Sequence, residues 1–170
     1  METIHLKILK TPLGDMIACA VDQGICLLEF TDRKNKEKQF TSLSKTLNAE
    51  IVEKEHPHFK QLEEELNEYF EGKRHQFEVP LFVTGTEFQK KVWQLLREIP
   101  MGETRSYKQQ SEFLGNPKAI RAVGTANGIN KIAILIPCHR VIGSNGDLVG
   151  YAGGIWRKQK LLELEGAILF

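Results

Sequence analysis

Cysteine is the most nucleophilic side chain at neutral pH once it is ionised, and ionisation needs a nearby base or a positive field. One of the three cysteines, Cys138, is preceded by the rigid Pro137 and followed directly by His139 and Arg140. Residue chemistry alone leaves three uses open. The thiol could capture a group from a substrate, it could turn over as a cysteine hydrolase, or the chain could be a winged-helix DNA-binding regulator in which the Cys-His pair has no chemical part.

The remaining cysteines, Cys19 and Cys26, flank the turn Asp22-Gln23-Gly24 and read as buried thiols in strands. Three cysteines without a Cys-x-x-Cys give no disulfide framework. The five histidines do not stand at metal spacing with the cysteines, so neither a metal nor another cofactor is expected.

The elements that must position Cys138 can be read around it. Ile132-Ala133-Ile134-Leu135-Ile136 is an apolar run fit for a buried segment that delivers Pro137 and Cys138. After the cysteine, Val141-Ile142 and Leu148-Val149 bracket Ser144-Asn145-Gly146-Asp147, an Asn-Gly hairpin signal that would make a wing. Gly150 to Gly154 form a flexible loop, and a last helix runs from about Ile155 to Glu165. Upstream, Thr86 with Gln89 has capping-box spacing, and Phe88, Val92, Leu95, Leu96 and Ile99 form one apolar stripe. Ser106 can cap a short helix to about Leu114. Asn116 and Pro117 suit the start of another from Lys118 to about Asn127. Two short helices joined at Gly115 carry a helix-turn-helix signature. In the second of them Ala119, Ile120 and Val123 would face the core and Arg121 would point away.

The N-terminal half has a different pattern. Residues 4–9 and 15–30 read as three short strands punctuated by turns, and 31–55 as loop and mixed structure. A helix near 57–71 follows from Phe59, Leu62, Leu66, Tyr69 and Phe70 at helical spacing, with Gly72 at its end. Residues 79–85 look like a linker. The fold class expected is therefore α+β: a strand-rich N-terminal domain with a small antiparallel sheet, then a mainly helical winged helix-turn-helix domain. At 170 residues the chain has room for both. Its net charge of +1 hides an asymmetry: residues 1–85 carry 11 Lys and Arg against 15 Asp and Glu, residues 86–170 carry 12 against 7. The basic half is the natural nucleic-acid face. No stretch approaches the roughly 20 apolar residues of a membrane span, and no secretory signal is visible, which points to the cytoplasm, or to the nucleoid in a bacterium.

Several segments together resemble one family. Ile134-Leu135-Ile136-Pro137-Cys138-His139-Arg140-Val141-Ile142 resembles the active-site segment of the O6-alkylguanine-DNA alkyltransferases. Arg105-Ser106-Tyr107 is similar to the family's tyrosine segment, and Asn116 to Gly124 to its recognition helix. Asn130 stands eight residues before the cysteine, as the family's asparagine does. Gly150-Tyr151-Ala152-Gly153-Gly154 and Leu161 to Gly166 resemble its pocket loop and final helix. The motifs cover about residues 86–166; residues 1–80 match in general character.

The resemblance implies direct reversal of DNA damage. The alkyl group on O6 of guanine, and also on O4 of thymine, would pass irreversibly to Cys138 in a single turnover. His139 would take the thiol proton, in the family through a bound water, and Glu165 would orient the imidazole. Tyr107 would donate a hydrogen bond to the leaving guanine. Tyr151 and the small residues after it would line the alkyl pocket, backbone groups at Val141 and Ala152 would read the base, and Asn130 would brace the turn. The damaged base must leave the duplex to meet a buried thiol, and Arg121 would fill the gap. The small residues Ala119, Ala122 and Gly124 would let the helix into the minor groove. The expected partner is double-stranded DNA bearing O6-alkylguanine, met by a monomer. Related lesion sensors lack the nucleophile; Cys138 is present here. The structural zinc of some relatives has no convincing ligand set. The domains implied are 1–80, an N-terminal α/β domain of structural role, and 86–170, the DNA-binding and active-site domain.

Overall fold

A computed structural model describes residues 2–34 and 36–168 of the chain. Met1, Asn35, Leu169 and Phe170, with the outer ends of the expected domains among them, lie outside the described residues. The chain forms two compact units that divide between Thr84 and Gly85. No helix among the described residues is long and apolar enough to cross a membrane.

The first unit is built on a four-stranded sheet. β1 (Thr3–Leu9), β2 (Met16–Val21) and β3 (Gly24–Phe30) form an antiparallel meander. β4 (Glu50–Glu53) then adds in parallel beside β1, giving the order β3-β2-β1-β4. The sheet is therefore mixed where an antiparallel one was expected. The parallel strand is reached through helix α1 (Lys36–Leu47), which lies in the region expected to be loop and mixed structure. Its apolar stripe is narrow: Phe40, Leu43 and Leu47 stand among serines, threonines and lysines. These three pack with Ile4, Ile17, Cys19 and Leu27 against one face of the sheet.

Helix α2 (Pro57–Phe70) contacts β2 and β3 and buries Phe59, Leu62, Leu66 and Tyr69. With apolar cover on both sides, β2 and β3 are buried along their whole length. Residues 80–82 close this unit rather than hanging free: Ile25 N–H donates to Pro80 O (2.8 Å) and Phe82 N–H to Ile25 O (2.8 Å). That approach requires glycine at position 24, where a Cβ would stand 2.6 Å from Pro80 O.

The second unit is mainly helical. α3 (Glu87–Arg97) opens with the expected capping box, Thr86 accepting from Gln89 N–H and Gln89 accepting from Thr86 N–H. Its buried face is Val92, Trp93 and Leu96, while Phe88 is exposed. A second capping box, Ser106 with Gln109, starts α4 (Tyr107–Phe113). α5 (Ile120–Gly128) packs on α3 and α4, and Trp93 Nε1–H donates to Ala126 O (2.9 Å). α5 begins two residues later than expected. Asn116 and Pro117 shape a separate turn, in which Asn116 accepts from the Lys118 and Ala119 N–H groups, and Ala119 stands outside helical geometry. Ile120 is consequently 42 % exposed rather than core, and Ala126 takes the inward position with Val123.

The expected wing forms only in part. A loop closes with Gly143 N–H on Asp147 O (2.9 Å), but the short strand β6 (Val141–Ile142) pairs in parallel with β5 (Arg105–Ser106), not with Leu148-Val149. Lys158 and Tyr107 instead draw on the Val149 carbonyl, which leaves no ladder there. α6 (Ile155–Leu164) closes the unit, entered through Gly154 at φ 98°, a left-handed value that favours glycine.

Candidate active site around Cys138

The run before the cysteine is buried but is not a strand. Ile132, Ile134, Leu135 and Ile136 pack inward through successive turns. Ile134 takes φ 71°, a conformation that a β-branched residue adopts only under constraint. The constraint is Asn130. Its Oδ1 accepts from Ile132 N–H (3.0 Å), and its Nδ2 donates to Ile136 O (2.8 Å) and to Cys138 Sγ (3.3 Å). One amide thus shapes the turn and touches the sulfur it presents. Cys138 begins a short 3-10 turn through Arg140 and is partly exposed.

Behind it lies a buried ionic network. His139, wholly buried, shares a hydrogen bond of 2.7 Å between Nε2 and Glu165 Oε2. Arg140 grips the same carboxylate with two prongs, Nε to Oε1 (2.8 Å) and Nη2 to Oε2 (3.2 Å), while Nη1 donates to Ile99 O (2.6 Å). Burial works against charge on Glu165, but His139 and the Arg140 fork override it and bring the carboxyl down to about 2. Burial also depresses the His139 imidazole below its ordinary value, against the pull of Glu165. The ring is therefore neutral at physiological pH. With Nε2–H given to the carboxylate, Nδ1 carries the lone pair, and it has no hydrogen-bond partner in the protein.

Two groups from other elements lie near enough to Cys138 to sense its charge. Lys158 on α6 is fully buried, and its Nζ donates to Val149 O (2.8 Å) and Gly150 O (3.4 Å). Burial lowers its ammonium to about 8, partly offset by the charge of Cys138. Tyr107 donates its hydroxyl to the same Val149 O (3.1 Å). Burial, then the Cys138 charge, raises its phenol. A lysine at the start of an ordinary helix looks solvated, so Lys158 does not stand out in the sequence. The signal that could have found it is its position, four residues past the glycine pair that ends the pocket loop.

The other expected residues divide. Tyr151 sits edge-on to His139 (6.5 Å between ring centroids), Val141 is buried, and Ala152 is exposed on the loop. On α5, Arg121 and Ala122 are exposed. Ala119 is buried, and Gly124 faces Tyr107, whose ring would lie 3.9 Å from a Cβ there. The outward face of α5 runs through Arg121, Ala122, Thr125 and Gly128. Among the described residues no group of three or more His, Cys, Asp or Glu could hold a metal ion.

Comparison with known proteins decides the family. Residues 4–83 match the profile of the "6-O-methylguanine DNA methyltransferase, ribonuclease-like domain", and residues 87–167 that of the "6-O-methylguanine DNA methyltransferase, DNA binding domain". A methylated-DNA–protein-cysteine methyltransferase of Methanosarcina acetivorans is 43 % identical, over 96 % of this chain and 99 % of its own length. The chain belongs to the methylated-DNA–protein-cysteine methyltransferase family. Another member, from Mycobacterium leprae, is 41 % identical over 95 % of this chain and 92 % of its own. Among solved structures, the O6-methylguanine methyltransferase of Mycobacterium tuberculosis superposes with a TM-score of 0.82 at 38 % identity, covering 97 % of this chain and 94 % of that one. Mycobacterium tuberculosis OGT in complex with DNA gives 0.82 at 39 % identity, covering 96 % and 93 %. The methyltransferase family thus accounts for both units of the chain.

Proposed function

We propose that this protein repairs alkylated DNA by moving the alkyl group from O6 of guanine to Cys138, once and irreversibly. The observation that carries the reading is the buried network of the His139 ring, the Glu165 carboxylate and Arg140 directly behind a partly exposed cysteine, in a chain of this family. The thiol proton passes to His139 Nδ1, across a water in the family pattern, and Glu165 stabilises the imidazolium that results. The thiolate attacks the alkyl carbon, the carbon–O6 bond breaks, and its electron pair leaves with the guanine, which takes up a proton. The ammonium of Lys158 favours the thiolate before attack. Tyr107, whose hydroxyl rests on Val149 O in the free protein, turns its donor to the base as negative charge develops there.

A base in a duplex cannot reach this sulfur, so the nucleotide is flipped out. Arg121, exposed on α5, fills the gap in the stack, and the small outward residues of α5, Ala122 with it, admit the helix to the minor groove. Asn130 keeps the sulfur in place, and Tyr151, Ala152 and Val141 border the base and its alkyl group; Ala119 and Gly124 support α5 from within. O4-alkylthymine is a second substrate of the same chemistry. The 86–170 segment carries DNA binding and catalysis, 1–80 is structural, and the protein acts as a monomer in the cytoplasm, on the nucleoid in a bacterium. Mass spectrometry after mixing with a duplex containing O6-methylguanine tests the reading: one methyl is expected on the peptide that holds Cys138. An unmodified protein, or methyl on Cys19 or Cys26, contradicts it.

A further inference from the structure

Asn127 is a polar residue the chemistry above does not use. It lies in the last turn of α5 with its side chain 94 % buried, since only 6 % of the residue is exposed. Neither its Oδ1 nor its Nδ2 has a hydrogen-bond partner. A buried amide left unpaired is costly, and buried polar side chains are as a rule satisfied. Its neighbours along the chain show what it faces. Gly124, three residues earlier, lies under the Tyr107 ring. Asn130, three residues later, touches Cys138 Sγ. Gly124 and Asn127, three apart on α5, share a helix face, and Asn130 N–H, just past the helix end, donates to Asn127 O (3.2 Å), so Asn127 stands between the tyrosine side of α5 and the turn that holds the sulfur.

We propose that Asn127 contacts the substrate: its amide pairs with the edge of the extruded O6-alkylguanine between Tyr107 and Cys138. This rests on the proposed transfer reaction and adds a specificity element to it. The chemistry of the base fits. Alkylation of O6 removes the proton from N1, so the lesion shows an acceptor at N1 beside a donor at the 2-amino group. A carboxamide meets that pair with Nδ2–H on N1 and Oδ1 on the amine. Undamaged guanine carries N1–H and would set donor against donor. The same amide therefore favours the lesion over ordinary guanine and disfavours the product once the alkyl group has moved. Entry of the base opens the covered amide and supplies the partners it lacks in the free protein.

The test compares wild type with Asn127→Leu, which keeps the bulk and removes the amide. Single-turnover transfer from duplex O6-methylguanine should fall about tenfold, the scale of one lost hydrogen bond to a buried group. With the 1-deaza analogue, in which C–H replaces N1, wild type should lose a similar factor and the variant should lose no more. The free variant should melt at the wild-type temperature or above, because it loses an unpaired polar group. Wild-type rates in the variant, an equal loss on the analogue in both proteins, or a melting point several degrees lower would each overturn the proposal. If wild type itself leaves the methyl on the DNA, the proposed reaction falls first and this inference with it.

Discussion

Each unit buries a glutamate beside an arginine, and the two carboxyls behave in opposite ways. Glu29 on β3 meets Arg33 Nη1 and the side chain of Gln39; burial dominates and raises it to about 7. Glu165 meets both prongs of Arg140 and the ring of His139, and it ends near 2 despite its burial. Both carboxyls are buried, and the difference lies in the partners offered to the charged form, the His139 ring and the Arg140 fork at Glu165. A carboxylate kept ionised beside a neutral imidazole can stabilise a transient imidazolium. A carboxyl that retains its proton until about pH 7 cannot do so dependably. The contrast fits the role proposed for Glu165 in the transfer and gives Glu29 none.

The comparison breaks most visibly in activity. Glu165→Gln should slow transfer by about 10²–10⁴-fold, the usual scale for disabling an acid–base pair, with Glu165→Asp recovering part of the rate. Glu29→Gln should leave transfer within about twofold of wild type. Single-turnover assays on O6-methylguanine duplex check both, and a large effect at Glu29 would erase the distinction. Stability comes next. Glu165→Gln strands Arg140 with its charge buried, a change that typically costs about 3–5 kcal/mol, measurable by urea unfolding. A loss under about 1 kcal/mol would mean that the fork is not held as described.

Dependence on pH sharpens the contrast in sign. Glu165 falls from an ordinary 4.5 to about 2, so its contribution is present above pH 4.5 and is lost as pH falls toward 2. His139, depressed by burial, acts in the same sense: the unfolded chain takes up its proton first, so stability drops as pH falls below about 6.5. Glu29 works the other way. Its carboxyl rises from 4.5 to about 7, so the unfolded chain releases that proton first and stability declines as pH climbs through that window. Glu29→Gln should flatten this decline, while Glu165→Gln should flatten the acid loss below 4.5. Unfolding curves at closely spaced pH values read both slopes. The smallest effect is expected at Lys158. Its ammonium titrates near 8, so transfer should slacken severalfold above that pH, and Lys158→Gln should be slower at pH 7 and lack the alkaline limb. An unchanged alkaline limb in that variant would remove Lys158 from the chemistry.

Much of the frame of this site is legible in the sequence. The capping pair Thr86–Gln89, the Ser106 cap and the α2 stripe have local signatures, and these appear where the spacing placed them. What escaped was set by long-range packing. α1 has three apolar residues among polar ones, and β4 has only Ile51 and Val52 between glutamates. Neither pattern is distinguishable from a loop until the sheet supplies a face to cover. The Val141–Ile142 strand chose a partner 36 residues upstream, which no Asn-Gly signal could reveal. In the site, Cys138, His139 and Glu165 were legible from motif. The fork of Arg140, the burial of Lys158 and the unpaired amide of Asn127 were not, because each depends on what surrounds the side chain rather than on its neighbours in the chain.

The central claim is that Cys138 accepts one alkyl group and is then spent. A thioether offers no ready leaving group, so nothing in the site regenerates the thiol. The direct measurement is a titration of fixed protein with increasing duplex O6-methylguanine, counting repaired guanine at completion against methylated protein. A plateau at one guanine per protein molecule is expected, with every methyl on Cys138. Repair that continues beyond one equivalent, with the thiol still free, would contradict it.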